Sequence, residues 1–121
     1  MDKGDKKYDF YCEEALTGKT PLHIVYESEK VLSFHHTRPS YQFHVIIIPK
    51  EHIKDLLALE NGRHNELILE VMEVAQKIIA ENMSTGLQGF RLITNVGSFQ
   101  ETPHLHFHVI AGEKTTKPSG L

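Results

Sequence analysis

The segment His104-Leu105-His106-Phe107-His108-Val109-Ile110 constrains the fold of this chain more than any other. Polar and apolar residues alternate strictly, so in a strand the three imidazoles project from one face and Leu105, Phe107 and Val109 from the other. Such a strand belongs to a sheet with one buried face, and a second layer must cover that face. The cover is predicted between Asn61 and Asn82, where Leu67, Ile68, Val71, Met72, Ala75, Ile78 and Ile79 recur at steps of three and four. Glu66, Glu70, Glu73, Gln76 and Lys77 fill the opposite side, and Met72 reads as core packing in the apolar stripe.

Four further strands complete the sheet. Leu22 to Glu27 and Val31 to His36 flank Ser28-Glu29-Lys30 as a hairpin. Phe43 to Pro49 is rich in Val and Ile and reads as a buried strand, and Phe90 to Thr94 alternates after the chain breakers Gly86 and Gly89. A shorter helix is expected near Lys54 to Leu59. The fold class is therefore α+β, a five-stranded antiparallel sheet with one long and one short helix. Residues 1–9 and 113–121 have the composition of mobile termini, which leaves one domain over residues 10–112. A length of 121 residues with 40% hydrophobic and 24% charged residues agrees with a single globular unit.

A formal charge of −3 gives no general attraction toward nucleic acid or acidic lipid, so neither is expected as a partner. The charged start of the chain has no apolar stretch behind it, and the longest apolar run is only Val45 to Ile48, so no signal peptide or membrane span is expected. One cysteine, Cys12, cannot form an internal disulfide, which fits a reducing, cytoplasmic location. The default role of Cys12 is that of a small buried hydrophobe. The compositional outlier is histidine. Nine are present, where usage of about two per cent gives about two or three.

Two chemistries use a row of imidazoles on one strand face. Neutral rings can ligate a divalent metal, as in three-histidine zinc sites. Alternatively, one ring attacks phosphorus while its neighbours orient it and bind the phosphate oxygens. The spacing alone leaves both open. His44, on another strand of the same sheet, can reach that face. His23, His35 and His64 have no evident partner and are expected to be solvated or capping.

The run His104-Leu105-His106-Phe107-His108-Val109 with Ile110-Ala111-Gly112 resembles the signature of the histidine triad (HIT) superfamily, in its Hint-like branch of nucleotide hydrolases and nucleoside phosphoramidases. Phe34, His44, the segment Ile47-Ile48-Pro49-Lys50-Glu51-His52-Ile53, Gly89-Phe90-Arg91 and Asn95-Val96-Gly97 match in the same order, so the resemblance covers about residues 10–112. It implies a homodimer with joined sheets, no cofactor, and a purine nucleotide or nucleotide conjugate as partner. By the same resemblance His106 is the nucleophile on the α-phosphorus, His108 and His44 flank and bind the phosphate, and His104 supports the site through hydrogen bonds. Asn95, Gln100, His36 and Phe34 are then the substrate-binding positions. The activity implied is hydrolysis of nucleoside phosphoramidates or related conjugates through a nucleotidyl-histidine intermediate. Its rivals are a nucleotide-binding module with little catalysis and a metal-binding protein built on the strand histidines.

The chain departs from the family pattern at three places. Glu101 stands where a small hydroxyl is usual, in a shortened loop between Asn95 and His104, and His36 stands where the family carries a ribose-binding Asp or Asn. Some bacterial relatives hold zinc with a Cys-x-x-Cys pair and downstream histidines; here Asp9 replaces the first cysteine. No metal is expected at the triad, and a zinc site of Asp9, Cys12 and His52 is the lesser alternative to a metal-free protein.

Overall fold

The computed structural model describes residues 9–19 and 21–115. The expected mobile ends therefore lie mostly outside the described residues. Five strands form one antiparallel sheet: β1 (Ile24–Glu27), β2 (Val31–His35), β3 (Tyr41–Pro49), β4 (Phe90–Ile93) and β5 (Phe107–Lys114), in the order β1-β2-β3-β5-β4. The α+β architecture read from the sequence is the one observed.

Helix α1 (Asn65–Met83) lies on one face of the sheet. It starts later than Asn61 because Gly62 adopts φ +94°, a left-handed conformation that no helix continues through, and the Asn65 side chain accepts from the Gly62 N–H at 2.9 Å. Leu67, Val71, Val74, Ala75 and Ile78 form its buried stripe against Val31, Val45, Ile47, Leu105, Phe107 and Val109. Each such aliphatic side chain contributes about 1.5–3 kcal/mol by leaving water, so this layer supplies most of the stability. The expected short helix is a single 3₁₀ turn, Leu56–Ala58, capped by the Asp55 carboxylate, which accepts from the Leu57 N–H at 3.0 Å.

The other face carries Leu32, Phe34, Ile46 and Ile48, and a π-helical turn, Tyr11–Ala15, covers them with Tyr11 and Ala15. Nothing in the periodicity of the N-terminal segment announces this turn. Next to it, the same side of the sheet presents His44 on β3, His108 on β5 and His106 just before β5. The sheet thus has an apolar helix side and a second side that is half core, half cleft.

One regular strand over His104–Ile110 is not what forms. The Leu105 N–H donates to the Ile53 carbonyl at 2.6 Å and the His104 N–H to Thr102 at 2.8 Å, so the ladder with β3 begins only at Phe107, opposite Ile47. The strand then runs past the Gly112 boundary to Lys114, which pairs with Tyr41 across a register shift in β3. Gly112 is required there: its φ is +79°, and a Cβ would lie 2.3 Å from the Gln42 Oε1 atom.

Candidate active site

A cavity of about 640 Å³ opens on the side of the sheet away from α1. Phe34 and Ile46 form its apolar floor, and His36, His44, His106 and His108 line it. The register places His108 opposite Ile46 and His44 opposite Ile110, so His44 and His108 are diagonal neighbours on one face. Their rings meet, His44 Nε2 to His108 Nδ1, at 2.8 Å.

Backbone donors fix which nitrogen of each ring carries the proton. The Ser40 N–H donates to His44 Nδ1 at 3.0 Å, so the proton of a neutral His44 is on Nε2 and is given to His108 Nδ1. His108 therefore carries its own proton on Nε2. The Arg38 N–H donates to His36 Nδ1 at 2.8 Å, which puts the His36 proton on Nε2 as well. His106 is wired the opposite way. Its Nδ1–H donates to the His104 carbonyl at 2.6 Å, leaving Nε2 with a free lone pair.

Burial keeps these rings neutral near pH 7. It is the largest influence on each, lowering His36 and His44 to about 4 and His108 to about 3, with repulsion from neighbouring imidazoles adding to the shift. His106 is also lowered, again chiefly by burial, with the hydrogen bond to His104 acting in the other direction. One nitrogen each of His36, His44 and His108 lies within 4.8 Å of the others, close enough for a metal. Yet the Nδ1 lone pairs of His36 and His44 are taken by backbone N–H groups, and their Nε2 atoms are protonated. His36 and His108 each keep an Nε2–H donor, suited to an anion, while His44 spends its proton on His108.

His104 belongs to a different cluster. Its Nε2–H donates to the Pro49 carbonyl at 2.9 Å, and its Nδ1 faces Asp9 Oδ2 at 3.2 Å and Cys12 Sγ at 3.3 Å. His52 Nδ1 stands 2.8 Å from Asp9 Oδ2 and 3.4 Å from Cys12 Sγ. The expectation of a small buried hydrophobe at Cys12 is corrected: the residue is half-buried and in polar contact with three ligand-type side chains. Burial, with Asp9 next, raises the Cys12 thiol to about 12. Burial also opposes ionisation of Asp9, but hydrogen bonds from Cys12 and the nearby His104 outweigh it and the pKa is lowered. One oxygen, one sulfur and two nitrogens thus converge within 4.8 Å, a donor set and spacing that fit a tetrahedral ion such as zinc.

The remaining sequence-predicted positions divide. Asn95 lines the cavity, together with Glu101, Thr102 and Phe99 on the loop before β5. Gln100 was expected at the ligand, but it is buried outside the cavity lining and its amide donates to the Lys54 carbonyl at 2.7 Å, tying that loop to the segment after β3. His64 was expected to be solvated or capping. It is buried at the start of α1 and makes no side-chain cap; its Nδ1 accepts from the Glu60 N–H at 2.8 Å. His23 and His35 are exposed, as expected.

Sequence reasoning missed Arg38, Tyr41 and Lys114 of the cavity lining, His104 as a member of the second cluster and, above all, Tyr11. Its ring is 5.0 Å from that of His106 and 5.6 Å from that of His104, buried between the two clusters. Burial pushes its phenol above the usual range, so it acts as a neutral wall. The one available signal was the adjacent aromatic pair Phe10-Tyr11 at the start of the domain.

Fold and site together define a small α+β protein with a cleft lined by imidazole rings. The chain belongs to the HIT family: the HIT domain model matches residues 17–115. It is 34% identical over 104 residues to an uncharacterized HIT-like protein of Helicobacter pylori, covering 84% of this chain and 95% of that protein. It is also 34% identical over 114 residues to the 14 kDa zinc-binding protein of Zea mays, covering 89% and 85%. Among solved structures, a HIT family hydrolase from Legionella pneumophila superposes with a TM-score of 0.75 at 34% identity over 93% of this chain and 100% of that one. A HIT family hydrolase from Clostridium thermocellum gives 0.73 at 31% identity over 93% and 96%. Among the described residues no helix is long and apolar enough to cross a membrane.

Proposed function

We propose that this chain is a nucleotide hydrolase that acts at the α-phosphorus of nucleoside phosphoramidates or related nucleotide conjugates, with His106 as nucleophile. The observation that carries this reading is the 2.6 Å hydrogen bond from His106 Nδ1 to the His104 carbonyl. A carbonyl only accepts, so Nδ1 holds the proton and Nε2 keeps its lone pair, in a cavity whose other imidazoles offer N–H donors. The Nε2 lone pair forms the bond to phosphorus, and the bond to the leaving group breaks, its electron pair departing with the amine, which takes a proton from solvent. Water then attacks phosphorus, releases His106 Nε2 and yields the nucleoside monophosphate. The His108 Nε2–H bears on the charge that grows on the phosphoryl oxygens, and His44 holds that ring in place through its own Nε2–H. His106→Asn is expected to retain the fold and to lower turnover of adenosine 5′-phosphoramidate several-thousand-fold, as loss of a covalent nucleophile does. Near wild-type turnover in that variant refutes the reading.

A second reading concerns the cluster at the edge of the site. Asp9, Cys12, His52 and His104 are the residues that would hold zinc, which at this place supplies structural cross-linking. Because Tyr11 lies between Asp9 and Cys12 in the chain and packs on His106, fixing those two ligands also fixes one wall of the cavity. A homodimer is part of the proposal too. β4 is an edge strand, and Leu92 on it and Leu69 on α1 are exposed apolar side chains that a second copy would cover. The proposed location is the cytoplasm, in keeping with a free thiol at Cys12.

A further inference from the structure

The two ends of the cavity differ in charge. At the end formed by β2, the β2–β3 connection and the last residue of β5 stand His36, Arg38, Ser40, Tyr41 and Lys114. No carboxylate of the lining stands there. The acid of the lining, Glu101, is on the loop that precedes His104. A ligand that spans the cavity therefore meets cations at one end and an anion at the other.

His36 determines what the cationic end accepts. Its ring is half-buried, 4.3 Å from His44 between centroids and nearly parallel to His108 at 6.2 Å, so it continues the row of phosphate-facing rings outward. The Arg38 backbone N–H occupies Nδ1, and Nε2–H makes no hydrogen bond among the described residues. This ring cannot accept from a hydroxyl; it can only donate. Beside it the Arg38 guanidinium is close enough to oppose protonation of the ring, and Lys114, opposite Tyr41 in the sheet, adds three more N–H donors. Free sugar hydroxyls are held best where a carboxylate or amide oxygen accepts their protons. An imidazole N–H beside a guanidinium, in a lining that also carries the Lys114 ammonium, matches instead an oxyanion with several acceptor oxygens.

We propose that the His36, Arg38 and Lys114 end of the cavity binds a second phosphate, carried on the sugar of the nucleotide whose α-phosphorus faces His106. This rests on the nucleotide reading above and narrows its substrate class to conjugates of nucleoside 3′,5′-bisphosphates. A longer 5′-polyphosphate chain offers the same chemistry from another source, but it extends toward the leaving-group position, and Glu101 repels it wherever the chain turns to that end.

The test is titration calorimetry with adenosine 3′,5′-bisphosphate, adenosine 5′-monophosphate and adenosine 5′-diphosphate on the full chain. The bisphosphate is expected to bind at least tenfold more tightly than the monophosphate, the diphosphate less than threefold more tightly. Arg38→Ala, at an exposed position, and His36→Asp are each expected to remove most of the bisphosphate advantage. Thermal melts verify that both variants fold; if His36→Asp does not, Arg38→Ala decides. Equal affinity for bisphosphate and monophosphate, an advantage matched by the diphosphate, or an advantage untouched by Arg38→Ala overturns the proposal. These are binding measurements, so they fail or succeed apart from turnover by His106: the absence of a bisphosphate preference together with active phosphoramidate hydrolysis sinks only this inference, while turnover that survives His106→Asn sinks only the catalytic reading.

Discussion

Acidification from pH 7 to pH 5 is expected to remove about 3 kcal/mol of folding stability through three imidazoles of the cavity. Burial holds His36 and His44 at about 4 and His108 at about 3 in the folded chain, against 6.5 for a free imidazole. Above pH 6.5 all three are neutral in both states and contribute no pH dependence. Below it the unfolded chain takes up protons that the native cavity refuses, so stability falls as pH falls, down to the folded values near 4. At about 1.36 kcal/mol per pH unit, each ring alone costs about 2 kcal/mol by pH 5. Part of each shift is repulsion from the other rings, absent while they are neutral, and solvent reaches His36 and His108. About half of the summed cost, about 3 kcal/mol, is therefore the expectation. Urea unfolding followed by circular dichroism at pH 7, 6 and 5, with EDTA in every sample, measures it. Asp9, whose carboxyl is held low in the fold, releases its share below this range. His36→Asn should make the loss between pH 7 and 5 smaller by about 1 kcal/mol. Wild type and variant losing stability in parallel refutes the assignment of the pH dependence to these buried rings.

Zinc is expected to raise the melting temperature of the wild-type chain and to leave Cys12→Ser unchanged, since the thiolate is the strongest donor of that cluster; metal analysis after dialysis should give about one zinc per chain. Phosphoramidate turnover below the melting range should survive EDTA, because the nucleophile is generated by a hydrogen bond to a carbonyl. Glu101→Ser is expected to raise kcat/KM for a dinucleoside polyphosphate relative to that for a phosphoramidate, by about tenfold for each 1.4 kcal/mol of repulsion removed; an unchanged ratio shows that this exposed carboxylate turns to solvent. Leu92→Asp on the free edge of β4 should convert a dimer to a monomer in light scattering at micromolar concentration, and a chain already monomeric as wild type refutes the paired-sheet proposal.

The sequence by itself determined what short-range periodicity can carry. Steps of three and four fixed the buried face of α1, and alternation put His106 and His108 opposite Phe107 and Val109, because side-chain direction in helices and strands follows from backbone geometry alone. The motif from Ile47 to Ile53 and the triad carried the family, since their residue types and spacing are dictated by one site. Tertiary structure alone decided the rest. The β3–β5 register brings His44 Nε2 to His108 Nδ1 across 64 residues, and only then do the Ser40 and Arg38 backbone donors settle each tautomer. His104, in register with the other two by sequence, leaves their function because its part of the chain is tied to the segment after β3: the Leu105 N–H pairs with Ile53, and the ring turns to Pro49, Asp9 and Cys12. Cys12, read by default as a small buried hydrophobe, lies beside ligand-type side chains 40 and 92 residues away. No local pattern encodes such meetings, because they depend on where the π-helical turn at Tyr11 packs once the sheet has formed, and packing is a property of surfaces assembled from the whole chain.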